Sequence, residues 1–332
     1  MSRPDRMAID PATETERICA ALRNALATDL HRRGFVVAMS GGIDSSVSVA
    51  LATRAVGPKH VFGLFLPERD SDPVSHALAL GLATQLGIDH ATEDIAPILA
   101  ASGCYARRDE AIRRAVPEYG EGWKCKLVLP GGGPNSDRLN VTSLVVQDPA
   151  GHQSRVRLGA AEYRQIVAAT NFKQRVRKMM DYYHADRLHY AVVATPNRLE
   201  YDQGFFVKGG DGLGDVKPIA HLYKTQVYAL ADYLGVPAAI TSRPPTTDTF
   251  SLPQTQEEFY FAYPARVLDQ LLLAYNERRP ALEVAGELGL GEDEVRWAWT
   301  DIAQKRATTR YLHLGPILVD EVPLPLEGRD AD

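Results

Sequence analysis

Short apolar runs alternate with helix-compatible segments along the first part of the chain and again after residue 160. The runs predicted as strands are 35–39, 60–67, 90–95 and 191–195. The early segments with helical spacing of apolar residues are 14–30, 45–56 and 75–88. Apolar strands that alternate with helices are typical of a parallel sheet covered on both faces. We therefore predict an α/β fold with a Rossmann-like parallel sheet and helices on both faces.

This alternation is interrupted between residues 117 and 159. The segment contains three β-like runs separated by Gly, Pro, Asn and Asp, and DPAG at 148–151 is a hairpin signal. We predict a small antiparallel insertion here. The later predicted helices are 160–189, 222–236 and 292–307, so the C-terminal region is expected to be helical. We expect residues 1–332 to form a single domain with a loose tail at 322–332.

Composition narrows the class of protein. The 332 residues are 45% hydrophobic and 24% charged, with a net charge of −5, as in an ordinary globular protein. There is no global basic excess, and the basic run KQRVRK (173–178) is best explained as a helix surface facing phosphate and a dimer partner, so no nucleic acid is expected. No segment approaches the roughly 20 apolar residues of a membrane span, and we expect a cytoplasmic protein without membrane contact.

The turn SGGIDSS at 40–46 is the first candidate for chemistry. It lies between a predicted buried strand and a helix N-terminus, where backbone N–H groups, the helix dipole and serine hydroxyls can all face one anion. Asp44 stands where a Walker loop carries lysine, which suggests a metal ion bridging the acid and a phosphate. The alternative is a Gly-Gly turn whose polar side chains only cap a helix.

A second loop, TPNRLE, follows the predicted strand at 191–195 and should emerge at the same sheet edge. Glu200 is a candidate second carboxylate for Mg²⁺, which takes one or two carboxylates and completes its shell with phosphate and water. Considered without the other motifs, Glu200 would be interpreted as a solvated loop glutamate. Further charges near a glycine-rich loop are candidates for ligand contact: Lys208, Asp211, Asp215 and Lys224. Arg69 and Ser71, after the second strand, are weaker candidates for a nucleotide contact.

Five motifs in order resemble the NAD⁺ synthetases of the N-type ATP pyrophosphatase group. They are SGGIDSSV, NFKQRVRKMMDYY, TPNRLE, GFFVKGGDGLGDVKPIAHLYKTQV and PPTTDTFS, and the resemblance runs from about Glu14 to Thr308. The phosphate turn alone is shared with GMP synthetases, asparagine synthetases and tRNA-thiolating enzymes. The later motifs narrow the resemblance to NAD⁺ synthetase.

The resemblance implies a ligase that amidates deamido-NAD⁺ with ammonia. ATP would adenylate the nicotinate carboxylate, pyrophosphate would leave into the SGGIDSS turn, and ammonia would displace AMP. ATP is then a co-substrate and Mg²⁺ the expected cofactor. A glutaminase domain would need about 200 more residues, so free ammonia or a separate glutaminase subunit is implied. The family is dimeric, which implies a homodimer with the helix of Asn171–Tyr183 at the interface.

Site residues follow from the resemblance by position. The ATP site falls on Ala38, Met39, Ser40, Gly41, Gly42, Ile43, Asp44, Ser45, Thr195, Lys224 and Thr246. The Mg²⁺ ligands fall on Asp44 and Glu200. The deamido-NAD⁺ contacts fall on Arg175, Lys208, Asp215, Gln304 and Lys305. No covalent protein nucleophile is expected, and Cys125, in the inserted hairpins, is not expected to act as a glutaminase nucleophile.

The chain departs from the family pattern in three places, one of which is the extra hairpins at 117–159. Gln304-Lys305 stands where His-Lys is usual, RATTRYLHLG (306–315) intervenes before Pro316, and Pro196 to Leu199 differ from the commonest forms. Two alternatives therefore stay open: a related ligase that amidates another carboxylate with the same ATP machinery, or a non-catalytic adenine-nucleotide sensor.

Overall fold

The computed structural model describes residues 6–129, 142–246, 249–320 and 322. In chain order, the strands are β1 (Phe35–Ala38), β2 (Val61–Phe65), β3 (Asp89–Thr92), β4 (Lys124–Val128), β5 (Ser143–Gln147), β6 (Gln153–Arg157) and β7 (Ala191–Val193). The helices up to β7 are α1 (Pro11–Asn24), α2 (Ile43–Val56), α3 (Pro73–Leu86), α4 (Ala96–Ala101), α5 (Cys104–Ala115) and α6 (Ala160–Leu188). The later helices are α7 (Arg198–Gln203), α8 (Lys224–Tyr233), α9 (Ala238–Thr241), α10 (Gln256–Phe259), α11 (Ala265–Asn276), α12 (Ala281–Leu288) and α13 (Glu292–His313).

Four strands form a parallel sheet in the order β3-β2-β1-β7. β1 is central: Val37 is in register with Gly63 of β2 and Val193 of β7. Phe35 and Val37 pack on one face with α1, α2, α3 and α8, whereas Val36 belongs to the core on the other face with α4, α5 and α6. Because side chains alternate along a strand, a continuous apolar run serves both cores. The predicted α/β fold is confirmed.

The predicted insertion contains a three-stranded antiparallel sheet in the order β4-β5-β6. The DPAG turn joins β5 to β6, where the backbone N–H of His152 donates to Asp148 Oδ1 and Gly151 adopts a φ of +91°. Leu127 and Leu144 are buried against α5 and α6. Residues 130–141 of the predicted insertion, and 321 and 323–332 beyond α13, lie outside the described residues.

Two predicted helices differ from the structure by more than three residues at their C-terminal ends. The predicted helix 14–30 is α-helical only from Pro11 to Asn24 and continues as a π-helical segment over Ala25–Leu30. The predicted helix 292–307 extends to His313, because α13 packs its last turns against Tyr201 of α7 and Gly204 after it. Within the described ranges, no helix is long and apolar enough to cross a membrane.

Candidate functional site

The candidate site lies at the point in the parallel sheet where the order of the strands changes direction. β2 and β3 lie on one side of β1 and β7 lies on the other, and the chain reaches β7 through α6 on the face opposite α2. Open α/β sheets bind ligands in the crevice at such a point. A cavity is found here, and its lining includes every residue predicted for ATP: 38–45, Thr195, Lys224 and Thr246. Glu200 lines the same cavity.

The SGGIDSS turn lines this cavity with some of its donors bonded inside the turn: the N–H of Ser40 donates to Ser45 Oγ and the N–H of Gly42 to Ser40 Oγ, each over 3.3 Å. Gly41 has a φ of +76°, and a Cβ there would collide with the backbone carbonyl of Ser75, so only glycine fits. α2 begins at Ile43 without a side-chain cap, which leaves the N–H groups of its first turn available. The hydroxyl of Ser45 donates to the carbonyl of Gly42 over 3.0 Å and lies 3.1 Å from Ser40 Oγ. The turn is therefore preorganised for a phosphate or similar anion.

Two carboxylates and one lysine form the charged centre of the cavity. Asp44 extends from the first turn of α2 and Glu200 from α7, and Lys224 Nζ makes an ion pair with Asp44 Oδ2. Burial and the negative charge of Asp44 raise the pKa of Glu200 to about 8. Burial works against the charge of Lys224, but the carboxylates of Asp44 and Glu200 raise its pKa. The cavity thus disfavours negative charge on both acids at once, and a cation bound between them would favour the ionised form of Glu200.

This donor set fits a magnesium ion bound together with a phosphate. Two facing carboxylates supply the hard oxygen ligands that Mg²⁺ prefers, and a nucleotide would supply the others. Among the residues that the structure describes, no group of three or more His, Cys, Asp and Glu side chains forms a metal cage. A metal ion at these two acids would need further oxygen ligands beyond the two carboxylates.

Several cavity residues were not singled out by the sequence. Four lie on α6: Gln174, Arg177, Lys178 and Asp181. Lys178 and Asp181 are both buried and form an ion pair of 2.8 Å, and one oxygen of Asp181 has no hydrogen-bond partner among the described residues. Arg243 also lines the cavity, where it donates to Asp72 and Ser75. The basic run 173–178 indicated a phosphate-facing surface, and it contains Gln174, Arg177 and Lys178. Helical spacing alone did not show which side chains of this run face the ligand.

The two weaker candidates for a nucleotide contact, Arg69 and Ser71, lie in different surroundings in the structure. Ser71 lines the cavity, while Arg69 stacks on the ring of Tyr105 at 4.0 Å. Asp211, from the glycine-rich loop, also lines the cavity.

The small antiparallel sheet supports one wall of the cavity. The backbone N–H of Cys125 donates to Ser251 Oγ over 2.9 Å, and the N–H of Leu252 donates back to the carbonyl of Cys125 over 3.1 Å. Lys126 makes an ion pair of 3.0 Å with Glu258. We call residues 249–259 the cover segment, since it continues from Thr246 and brings Gln256 into the cavity.

The five residues predicted to contact deamido-NAD⁺ do not line the cavity formed by the described residues. Arg175 Nε donates to the carbonyl of Lys208 over 3.3 Å, and Lys208 Nζ donates to the carbonyls of Tyr311 and Leu314 at the end of α13. These two cations therefore lie together beside α13. The structure binds both of them to main-chain carbonyls.

The other three predicted contacts lie apart from this pair. Asp215 accepts from the hydroxyl of Tyr182 and from the backbone N–H of Val192, so it fixes the glycine-rich loop to β7. Lys305 donates to Asp301 and to the carbonyl of Tyr260, and Gln304 is exposed on α13. The structure brings the predicted ATP and metal residues together, whereas the predicted dinucleotide contacts remain spread over α6, the glycine-rich loop and α13.

The sequence and fold both match one family. A family model described as NAD synthase matches residues 14–115 and 142–311. The chain is 58% identical to the NH(3)-dependent NAD(+) synthetase of Rhizobium meliloti (strain 1021), over 96% of this chain and 95% of that protein. It is 56% identical to the enzyme of that name from Mesorhizobium japonicum, over 95% of this chain and 99% of the relative.

Solved structures agree at the level of the fold. NMN synthetase from Francisella tularensis superposes with a TM-score of 0.64 at 21% identity, covering 94% of this chain and 99% of that one. NH3-dependent NAD synthetase from Campylobacter jejuni, in complex with nitrate, gives a TM-score of 0.61 at 20% identity, covering 94% and 100%. The family model spans most of the sequence and the relatives match nearly end to end, so the chain belongs to the NAD synthase family.

Proposed function

We propose that the protein is a ligase that amidates deamido-NAD⁺ to NAD⁺ with ammonia and ATP, releasing AMP and pyrophosphate. One observation carries the proposal: the turn at 40–46 with the uncapped start of α2, and the acids Asp44 and Glu200, share one cavity at the sheet's switch point. The relatives at 58% and 56% identity bear the name of an enzyme with this activity.

The ATP half of the reaction is assigned to the cavity residues. The nicotinate carboxylate attacks the α-phosphorus of ATP, and the turn of Ser40 to Ser45 binds the departing pyrophosphate through N–H and hydroxyl donors. Asp44 and Glu200 would hold Mg²⁺, which supplies charge neutralisation on the phosphate oxygens when bound. Lys224 then places its ammonium group beside the same oxygens, with Thr195 and Thr246 completing the nucleotide site. The acyl adenylate reacts directly with ammonia, so no protein nucleophile is needed.

The dinucleotide half is assigned to Arg175, Lys208, Asp215, Gln304 and Lys305. Arg175 and Lys208 are adjacent and cationic, as an anionic dinucleotide requires. Their contacts to main-chain carbonyls would be exchanged for substrate phosphate contacts on binding. Ammonia comes either free or from a separate glutaminase subunit. We also propose a homodimer, with α6 at the interface.

The test is NAD⁺ formation from ATP, Mg²⁺ and ammonium, with deamido-NAD⁺, nicotinate mononucleotide or no acceptor. We expect NAD⁺ and AMP in equal amounts with deamido-NAD⁺, and a loss of at least about 100-fold in kcat/KM for Asp44→Asn and for Glu200→Gln. The matched control is Arg296→Ala. Arg296 forms an exposed ion pair with Glu292 on α13, away from the cavity.

Two results would contradict the proposed function. Pyrophosphate release that depends on a different carboxylic acid would keep the adenylation chemistry and change the substrate. ATP binding without pyrophosphate release under any of these conditions would instead indicate a nucleotide sensor.

A further inference from the structure

We propose that Asn197 is a positioning residue that holds Asp44 and Glu200 in the arrangement a divalent cation requires. The inference rests on the proposed function, because that function calls for Mg²⁺ with ATP in this cavity. Asn197 lies in the loop after β7 and immediately precedes α7. Its exposed fraction is 1%, so its polar groups must be satisfied inside the protein.

Asn197 contacts both acids at once. Its side-chain amide Nδ2 donates to Asp44 Oδ1 over 3.1 Å. Its backbone N–H donates to Glu200 Oε2 over 3.2 Å. Its side-chain oxygen caps α7 by accepting from the N–H groups of Leu199 and Glu200, at 3.0 and 3.2 Å. A single buried residue therefore connects the acid that follows β1 to the acid that follows β7.

The two carboxylates need such a connection because they belong to different elements. Asp44 is fixed by the start of α2 and Glu200 by the start of α7, and like charges in a buried site repel each other. The Asn197 amide is a neutral donor, so it orients Asp44 without taking the place of a cation. Lys224 occupies the other oxygen of Asp44.

Gln256 completes the arrangement from the opposite wall. Its side-chain amide donates to Glu200 Oε1 over 2.9 Å. Each acid thus has one oxygen held by a neutral amide side chain, Asn197 on Asp44 and Gln256 on Glu200. Donors behind metal ligands orient them, and removing one typically weakens metal binding about 10- to 100-fold.

The matched variants separate the amide donor from the helix cap. Asn197→Ser and Asn197→Thr keep a side-chain oxygen that can cap α7 but replace the amide that reaches Asp44 with a shorter hydroxyl, whereas Asn197→Ala removes both the cap and the donor. The probe is Mn²⁺, with free ion measured by electron paramagnetic resonance in the presence of α,β-methylene-ATP. Affinity for the analogue without metal and the apparent Tm without ligands are measured alongside, because a merely structural role would change them.

We expect Asn197→Ser to bind Mn²⁺ about ten-fold more weakly, with its metal-free analogue affinity within two-fold and its Tm close to the wild type. Asn197→Ala should show the same metal defect and an additional loss of Tm. Asp44→Asn is the reference for a lost ligand. If the serine variant does not fold, the Mn²⁺ affinity of Asn197→Thr tests the positioning role instead.

The failure of this inference is distinguishable from failure of the proposed function. Wild-type Mn²⁺ affinity in both cap-preserving variants, with a clear defect in Asp44→Asn, would overturn the positioning role and leave the function intact. A wild-type protein that binds no Mn²⁺ with the analogue and forms no NAD⁺ would overturn the function itself.

Discussion

Lys173 on α6 is fully buried, yet its ammonium group has three acceptors. Nζ lies 2.8 Å from Glu68 Oε1, 2.8 Å from Asp70 Oδ2 and 2.8 Å from the carbonyl of Thr249. Arg108 adds a contact of 2.7 Å to Asp70. A buried charge is tolerated only when it is paired and hydrogen-bonded, and this cluster meets both conditions. Lys173, the first residue of the basic run, is therefore a buried residue that connects the loop after β2 to the cover segment.

The same cluster predicts a specific dependence of stability on pH. Burial disfavours the charge of Asp70, but the Lys173 ammonium and the Arg108 guanidinium lower its pKa from 3.8 to about 2. A carboxyl whose pKa is lower in the folded state stabilises the protein above its unfolded pKa. That contribution, about 2 kcal/mol, should be lost as the pH falls from about 4 towards 2.

Urea unfolding of the wild type and of Asp70→Asn between pH 6 and pH 2 measures this contribution. We expect the difference in unfolding free energy to be constant above pH 5 and to shrink below pH 4. A difference that stays constant down to pH 2 would show that Asp70 does not titrate in this range.

At the scale of elements, the inserted sheet has a definite role in the site. Its core residue Leu127 packs with Phe250 of the cover segment, and its backbone is hydrogen-bonded to Ser251 and Leu252. The insertion therefore supports the wall that carries Gln256. The sequence pattern predicted the three strands, because alternation and turn residues are local signals. It did not predict what they support, because that contact joins segments more than 100 residues apart along the chain.

Leu127→Ala should loosen this wall selectively. Truncating a fully buried leucine costs about 2–5 kcal/mol, so we expect lower stability, faster proteolysis within 249–259 and a higher KM for ATP. Leu271→Ala is the matched control, since Leu271 is equally buried among the C-terminal helices. Its stability should fall by a similar amount, with the cleavage pattern and KM unchanged. Equal effects of the two variants on KM would argue against a supporting role for the sheet.

At the scale of the whole molecule, α6 presents apolar side chains to solvent. Met179 is 53% exposed and Tyr183 is 57% exposed, next to the buried side of the helix that lines the cavity. The resemblance-based prediction of a dimer through Asn171–Tyr183 is consistent with this face. A stable interface buries about 800 Å² per partner, which a helix of this length supplies only together with its neighbours.

Sedimentation velocity at micromolar concentration tests the assembly. We expect a dimer for the wild type and a monomer for the double variant Met179→Glu/Tyr183→Glu, because two buried charges would face each other across the two-fold axis. Leu282→Glu on α12, where Leu282 is 71% exposed, should remain dimeric. A monomeric wild type, or a double variant that still dimerises, would exclude this interface.

The sequence by itself determined most strands of the two sheets and marked Asp44 and Glu200 as candidate acids. Apolar runs predicted the strands, the turn at 40–46 predicted an anion site, and both Asp44 and Glu200 follow strands, so a parallel sheet places them at one edge. These are local signals, because hydrophobic period and turn chemistry act within a few residues. The roles of the five dinucleotide residues stay predictions that rest on the family resemblance.

Only the tertiary structure decided how these pieces meet. The position of β7 beside β1 creates the crevice, and the contact from Asn197 to Asp44 spans 153 residues of sequence. The tertiary structure also buried Lys178 with Asp181 in the cavity and placed the end of α13 on Lys208. Strand order and side-chain contacts of this kind depend on packing between distant segments, and no local pattern along the chain encodes that packing.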